Sequence, residues 1–180
     1  MAINTNIIIK AKGILLRPIK LSDAQGYLEC HQDKAAKRNF MFCPRSLKAS
    51  REDIKEGLTG HNIFLAIEVN KDFAGFIHLE LNNNPKYKHS AIIGYGTHPK
   101  FRNMGIATKA VKALTAYAFK TLGLIRISAR CRTFNKASIK VLEKCSFQLE
   151  GVLRKNSFKD GKYLDDMLWA KVRQQDKTPE

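Results

Sequence analysis

The stretch IIGYGTHPKFRNMGIATKAV, residues Ile92–Val111, decides the fold of this chain. Its first half is apolar enough for a buried strand, and its second half spaces apolar residues as one face of a helix does. Between these halves, Gly105 follows Arg102 where the chain has to turn. A helix that begins there presents unpaired N–H groups beside a fixed positive charge, so this corner is predicted to bind phosphate.

Upstream of the corner, the sequence first predicts a strand and a helix. The strand is Ile14–Arg17, and Pro18 ends it. Ser22 with Gln25 three residues later forms a capping box, which predicts a helix from about Asp23 into the mid-thirties.

A second helix is predicted between Ser50, a typical N-cap residue, and Gly60, a typical stop. The runs NIFLAIEV, FAGFIHLEL and AIIGYGT then have the composition of three antiparallel strands, the first two joined by a hairpin at residues 70–72. After the helix that follows Gly105, LIRISARC predicts a strand and Asn135 begins a short helix. A final hairpin turns at Asp160-Gly161.

These elements give the order β-α-α-β-β-β-α-β-α-β-β without an internal repeat or linker. The order predicts an α/β (α+β) fold with one mixed, mostly antiparallel, twisted sheet and helices on both faces. We expect one domain over residues 1–180, with a core at about 14–170 and a polar tail at 173–180.

The chain is strongly basic. Lys and Arg number 32 against 16 Asp and Glu, which gives a formal net charge of +16. Such a protein attracts polyanions, so RNA or ribosome association, an acidic protein substrate and a phosphate-rich cofactor all remain open, as does a solvating role.

The cysteines and the apolar runs bear on three properties of the protein: its redox environment, metal binding and membrane association. Cys30, Cys43, Cys131 and Cys145 have neither C-x-x-C spacing nor a neighbouring histidine at zinc spacing, so we expect reduced thiols and no metal. No apolar run reaches the length of a signal-peptide core or a membrane span. A cytoplasmic protein without membrane association is therefore expected.

The corner resembles motif A of the GNAT acetyltransferases, Q/R-x-x-G-x-G/A, which Arg102, Gly105 and Ala107 match at its fixed positions. Its surroundings are similar to the branch of the ribosomal-protein alanine acetyltransferases RimJ and RimL, and the resemblance covers about residues 14–170. Further matches to that branch are Gly94, Tyr95, Pro99, Ala110, Asn135, Ser138, Phe147, Glu150, Gly151, Gly161, Tyr163 and Asp165. The resemblance implies a GNAT fold and acetyl-CoA as cosubstrate.

The same resemblance implies where acetyl-CoA binds. Its pyrophosphate is expected on the backbone of residues 102–107, and its pantetheine arm along the strand IIGYGTH. That strand is expected to carry a bulge and to diverge from the next strand, which leaves backbone groups free at Thr97 and His98. The predicted cofactor-binding residues are Thr97, His98, Arg102, Asn103, Met104, Gly105, Ile106, Ala107, Thr108 and Asn135.

Ser138 is the candidate proton donor to the departing thiolate, because Leu142 stands where many members outside this branch have a tyrosine. Asn135, one turn earlier, is expected to orient the cofactor. Both residues would equally suit a helix start, with Asn135 as N-cap.

The general base is less evident, because Ile92 stands where branch members often have a glutamate. His78 and Glu80, which share one face of a predicted strand, are candidate catalytic residues for this role. His98, Asp165 and a chain of water molecules are the alternatives.

One further departure from the family is Ser146, which stands where a glycine usually precedes Phe147. If this position has a positive φ, serine costs about 1 kcal/mol there.

The favoured function is acetyl transfer to a primary amine, with a protein N-terminus as the acceptor that the branch implies. A small molecule such as an antibiotic, amino acid or polyamine is the alternative, although the net charge disfavours a strongly cationic acceptor unless local acidic residues override it. Phe40, Phe42 and Phe64 are candidates for shaping an acceptor pocket. An alternative that is not an enzyme is a non-catalytic, RNA- or ribosome-associated module of the same fold. The sequence does not distinguish a monomer from a homodimer.

Overall fold

A computed structural model of the chain describes residues 7–59 and 62–174. Its strands are β1 Ile9–Ala11, β2 Ile14–Pro18, β3 Asn62–Val69, β4 Asp72–Leu81, β5 Ser90–Thr97, β6 Arg126–Arg132, β7 Gln148–Lys159 and β8 Lys162–Val172. Its helices are α1 Ala24–Gln32, α2 Lys34–Asn39, α3 Leu47–Leu58, α4 Ile106–Lys120 and α5 Lys136–Lys144. The strands form one sheet in the order β1-β2-β3-β4-β5-β6-β8-β7, in which β5 and β6 are parallel.

The predicted fold class is confirmed: the sheet is mixed and mostly antiparallel, and helices pack on both of its faces. The element order differs at the front of the chain. Strand β1 was not predicted, and the first predicted helix is two helices, α1 and α2. The break comes at Asp33, whose backbone is extended and whose side chain caps α2 by accepting a 2.7 Å hydrogen bond from the Ala36 N–H.

Both predicted N-cap serines are wrong. Ser22 lies inside a short 3₁₀ turn that Lys20 caps, and the carboxylate of Asp23 accepts a 2.8 Å hydrogen bond from the Lys20 N–H. Helix α3 begins one turn earlier than predicted, because the Ser46 side chain accepts a hydrogen bond from the Ala49 N–H at 3.1 Å. Ser50 is buried within that helix. Gly60 and residues 175–180 lie outside the described residues.

Alternate residues of β4 enter two different cores, as the period of a strand requires. Ile77 and Leu79 face α4, where Leu114 is fully buried. Phe76 points to the opposite face and packs under α1 and α3, near the buried Ile54. A side chain on β4 or β5 can therefore be assigned to the α4 face or to the α1–α3 face by its parity.

Positive φ angles occur where the sequence predicts tight turns. Asn70 and Lys71 join β3 to β4 with φ of 51° and 72°, and Asp160 and Gly161 join β7 to β8 with φ of 48° and 76°. Two successive positive φ values are typical of type I′ hairpin turns, so both predicted hairpins are confirmed.

Ser146 also has a positive φ, of 59°, directly after α5. The N–H of Phe147 donates to the Leu142 carbonyl at 3.0 Å, which closes the helix in the Schellman manner. Serine therefore occupies the positive-φ position of this motif, where glycine is usually found.

No helix in the described part of the chain is both long and apolar enough to cross a membrane.

Candidate active site

Helix α4 begins at Gly105, which has φ 73° and ψ 9° and provides no side chain to cap the helix. In the described chain, the N–H groups of Ile106, Ala107 and Thr108 donate to no acceptor, whereas α2, α3 and α5 each receive a side-chain oxygen in their first turn. A β-carbon at Gly105 would meet no other atom within 4 Å. The helix start is therefore open, partially positive and shaped to accept an anion, and a pyrophosphate group fits it.

Arg102 precedes this helix start and is tied to two neighbouring groups. Its Nε lies 3.3 Å from the Thr97 carbonyl oxygen, and its Nη1 forms an ion pair with Asp33 at the start of α2. The side chain is one-third exposed. An anion at α4 therefore meets a guanidinium that already has a carboxylate partner, and direct contact requires Arg102 to share or exchange that partner.

Strand β5 diverges from β6, as predicted. The two strands pair from Ser90–Arg126 to Ile92–Ser128 and no further. The expected bulge in β5 is wrong, because β5 pairs with β4 along its length without a register shift. The nearby irregularity instead separates Ile67 from Glu68 in the pairing of β3 with β4. A gap thus opens between β5 and β6 without a kink in β5.

The backbone groups that face this gap belong to Tyr95 and Thr97. The His98 N–H donates to the Ala74 carbonyl at 2.9 Å, so the even-numbered residues of β5 direct their backbone groups toward β4. The odd-numbered residues face β6, and the N–H groups of Tyr95 and Thr97 have no strand partner among the described residues. The expectation of a free N–H at His98 is therefore wrong. The alternation of a strand was the signal that could have identified Tyr95.

The side chain of His98 is buried and has a structural role in the turn before α4. Its Nε2 lies 2.7 Å from Glu29 Oε2, and its Nδ1 accepts a 3.3 Å hydrogen bond from the Lys100 N–H. The hydrogen bond with His98, followed by that from Gln25, lowers the pKa of Glu29. Both ring nitrogens of His98 are thus engaged, and this candidate base does not line the cavity described below.

Ser138 and Asn135 lie on the α4 side of the sheet. Asn135 Oδ1 accepts a 3.2 Å hydrogen bond from the Ser138 N–H, so Asn135 caps α5. The Ser138 hydroxyl lies 2.9 Å from the Tyr95 hydroxyl. Burial raises the pKa of Tyr95, so its phenol is protonated at neutral pH. A pair of hydroxyl groups therefore stands beside the gap between β5 and β6.

A cavity of about 400 Å³ lies on the opposite face, against α1 and α3. Its volume falls within the range of small-molecule sites. It brings together the predicted bases His78 and Glu80 with two of the predicted aromatic residues, Phe42 and Phe64. The third, Phe40, packs instead on His31 and Phe76. The lining residues are Tyr27, Phe42, Asp53, Glu56, Gly57, Asn62, Phe64, His78 and Glu80.

His78 lies directly over β5. A β-carbon at Gly94 would be 2.4 Å from His78 Cε1, so Gly94 is required for the imidazole to occupy this position. The Phe64 ring stands nearly perpendicular to the imidazole, with 5.9 Å between ring centroids. Burial lowers the pKa of His78 to about 4, so the imidazole is neutral at neutral pH.

Glu80 is paired directly opposite Ile92 in the antiparallel register of β4 and β5. Side chains of opposite residues point to the same face, so Glu80 lies beside the position where the branch resembled by this sequence often has a glutamate. Asp165, another candidate base, accepts a 2.7 Å hydrogen bond from the Lys155 N–H in the last hairpin and does not line the cavity.

The loop that carries Phe42 is held by the last hairpin. Lys159 Nζ donates to the carbonyls of Lys37 and Phe40, which end α2. Arg132, paired with the buried Asp166 at 2.8 Å, places its Nη2 3.5 Å from the Met41 sulfur. These contacts anchor the segment that carries Phe42 to the last hairpin and to Arg132.

Comparison with known proteins gives a consistent family match. The family model described as "Acetyltransferase (GNAT) domain" matches residues 14–148. The N-acetyltransferase YoaA of Bacillus subtilis, named as uncharacterized, is 37% identical over 83 residues, which are 46% of this chain and 47% of YoaA. The chain spans about half the length of the curated relatives it matches first.

Solved structures share the fold over nearly the whole chain. An acetyltransferase of the GNAT family from Bacillus anthracis superposes with a TM-score of 0.83 at 24% identity, covering 92% of this chain and 98% of that one. The ribosomal L7/L12 alpha-N-protein acetyltransferase RimL, solved in complex with coenzyme A, superposes with a TM-score of 0.82 at 20% identity and the same coverage.

Proposed function

The chain belongs to the GNAT acetyltransferase family, and from that premise we propose that it transfers the acetyl group of acetyl-CoA to a primary amine. The observation that carries this proposal is the uncapped start of α4, whose N–H groups donate to no acceptor in the described chain. A pyrophosphate there receives several backbone hydrogen bonds and the favourable end of the helix dipole. Residues 103–108 supply this surface, and Arg102 stands next to it.

We place the pantetheine arm and the thioester of acetyl-CoA in the gap between β5 and β6. Amide groups of a pantetheine arm can pair with the free backbone groups of Tyr95, as a further strand would. The free N–H of Thr97 is then a candidate donor to the thioester oxygen, where negative charge develops during transfer. When bound, acetyl-CoA supplies the activated acyl carbon, and the protein aligns the amine with it. Good alignment alone contributes up to about 7–11 kcal/mol.

Proton movement is assigned to groups on the two sides of β5. A cationic amine first releases one proton to the base, and in the reaction its neutral nitrogen bonds to the acetyl carbon while the carbon–sulfur bond breaks. The amine then loses a second proton and the thiolate gains one, so that one proton in total passes to solvent. Glu80, or His78 beside it, takes the proton from the amine in the cavity, directly or through water. Ser138, whose hydroxyl is paired with that of Tyr95, donates to the thiolate.

The acceptor that we favour is a protein N-terminal amine. The family branch resembled by the sequence and the fold shared with RimL both support this choice. A small-molecule amine is the second candidate, and the cavity volume of about 400 Å³ supports it, because such a cavity holds a small ligand or the first residues of a peptide.

Mass spectrometry of acceptors after incubation with acetyl-CoA tests the proposal. The panel contains N-terminal peptides, free amino acids and simple amines, and we expect acetylation of at least one primary amine. Glu80→Gln should lower turnover about 100-fold if Glu80 is the base, whereas Glu143→Gln on the exposed face of α5 should not. Absence of acetylated product throughout, together with absence of acetyl-CoA binding, would refute the proposal. RNA retention with a steep salt dependence would then make nucleic-acid binding the better explanation of the +16 charge.

A further inference from the structure

The cavity beside β4 is acidic in a chain that is strongly basic. Nine described residues line it; three of these are the carboxylates Asp53, Glu56 and Glu80, and none of the nine is Lys or Arg. Across the chain, by contrast, Lys and Arg outnumber Asp and Glu by 32 to 16. A ligand in this cavity therefore meets a local field opposite in sign to the net charge, and that field attracts cations.

Two polar groups of the cavity have no protein partner in the described chain. Asp53 Oδ2 is buried and accepts no hydrogen bond. Burial first, and then the charges of Glu56 and Glu52, raise the pKa of Asp53. The imidazole of His78 lines the cavity and, within residues 7–59 and 62–174, forms no hydrogen bond. Buried polar atoms are nearly always paired in native proteins, so the unpaired Oδ2 of Asp53 points to a ligand that brings a hydrogen-bond donor.

The carboxylates of the cavity come from two different elements, helix α3 and strand β4. Asp53 and Glu56 lie three residues apart on α3, which places them on one face of that helix. Glu80 lies with His78 on β4. The aromatic rings of Phe42 and Phe64, whose faces attract cations, also line the cavity. The arrangement offers two separate positions for positive charge.

We propose that the acceptor of this enzyme carries two positive charges. The reacting amine binds at His78 and Glu80, next to Gly94 of β5, and the second cation binds at Asp53 and Glu56. This inference rests on the proposed function and names the class of its acceptor. Two sources share this chemistry: a free diamine, and a peptide whose N-terminal residue has a basic side chain.

Matched acceptor pairs separate the two sources. One pair is 1,4-diaminobutane and butylamine, and the other is a tripeptide beginning with lysine and the same tripeptide beginning with norleucine. We expect kcat/KM to be at least tenfold higher for the dicationic member of one pair. Asp53→Asn should remove that preference, so that the ratio of the two kcat/KM values within the pair falls toward one. Glu52→Gln, an exposed neighbour on α3 that does not line the cavity, is the matched control.

Calorimetric titration of the same pairs into wild-type protein and Asp53→Asn measures the Kd of each acceptor. The test therefore does not depend on turnover. Tighter binding of a dication that depends on Asp53 supports the inference. Equal binding of both members of each pair, or a preference that survives in Asp53→Asn, overturns it. Acetylation of monocationic and dicationic acceptors at equal rates would leave the proposed function intact and refute this inference alone.

Discussion

The start of α4 and the cavity beside β4 lie on opposite faces of one sheet and present opposite charges. The α4 start offers unpaired N–H groups with Arg102 nearby, whereas the cavity offers Asp53, Glu56 and Glu80. We therefore propose the first site for an anionic cofactor and the second for a cationic amine. The contrast teaches that the net charge of +16 matches the sign of the α4 start and not that of the cavity, because local groups decide what each site binds.

The largest expected effect comes from closing the α4 site. Gly105→Glu places a carboxylate over the open N–H groups, so we expect thermal stabilisation by acetyl-CoA to disappear. At a ligand concentration a hundredfold above Kd, that stabilisation is about 2.7 kcal/mol. Gly123→Glu is the matched control, since Gly123 also has a positive φ, of 69°, with open space around it. Stabilisation that survives in Gly105→Glu would place the cofactor elsewhere.

The cavity should show its own pH dependence through His78. Because burial lowers the pKa of His78 to about 4, the unfolded chain, with an ordinary value near 6.5, binds the proton first as the pH falls. Stability due to neutral His78 is therefore present above about pH 6.5 and is lost toward pH 4, by about 1–2 kcal/mol at pH 5. Urea unfolding of wild type and His78→Gln at pH 7 and pH 5 measures this. An identical loss in both proteins would assign the effect to other groups.

The hydroxyl pair beside the gap should affect chemistry and not cofactor binding. Ser138→Ala and Tyr95→Phe each break the 2.9 Å contact between the two hydroxyls, so we expect turnover to fall about tenfold or more. The Kd for acetyl-CoA should stay unchanged in titration calorimetry. Turnover at the wild-type level in Ser138→Ala would remove this residue from the mechanism.

The smallest effect is expected outside both sites, at Ser146. Its φ of 59° is strained for serine, so Ser146→Gly should stabilise the protein by about 1 kcal/mol, measured as a shift of the denaturant midpoint. Ser146→Ala keeps the same strain and should give no gain. A gain in both variants would mean that the hydroxyl, and not the backbone angle, is unfavourable.

The two sites also differed in how far the sequence predicted them. The α4 start is contiguous, so the spacing of Arg102, Gly105 and Ala107 was enough to locate it. The cavity is assembled from α1, α3, β3, β4 and the loop of Phe42, and no sequence spacing indicates that Asp53 faces His78. Placing the N-cap at Ser50 instead of Ser46 also left the orientation of α3 undetermined.

Long-range contacts explain the remaining differences. The ion pair of Arg102 with Asp33 and the contact of His98 with Glu29 join residues far apart in the chain, so neither could be predicted from local pattern. The fold class needed no such information, because the strand runs and the helix that follows Gly105 are marked by their own periodicity.

Calorimetric titration of the wild-type protein with acetyl-CoA tests the central claim most directly. The account predicts one site with micromolar affinity whose binding heat is lost in Gly105→Glu and kept in Gly123→Glu. A wild-type protein that binds no acetyl-CoA under conditions where it is folded would contradict the account.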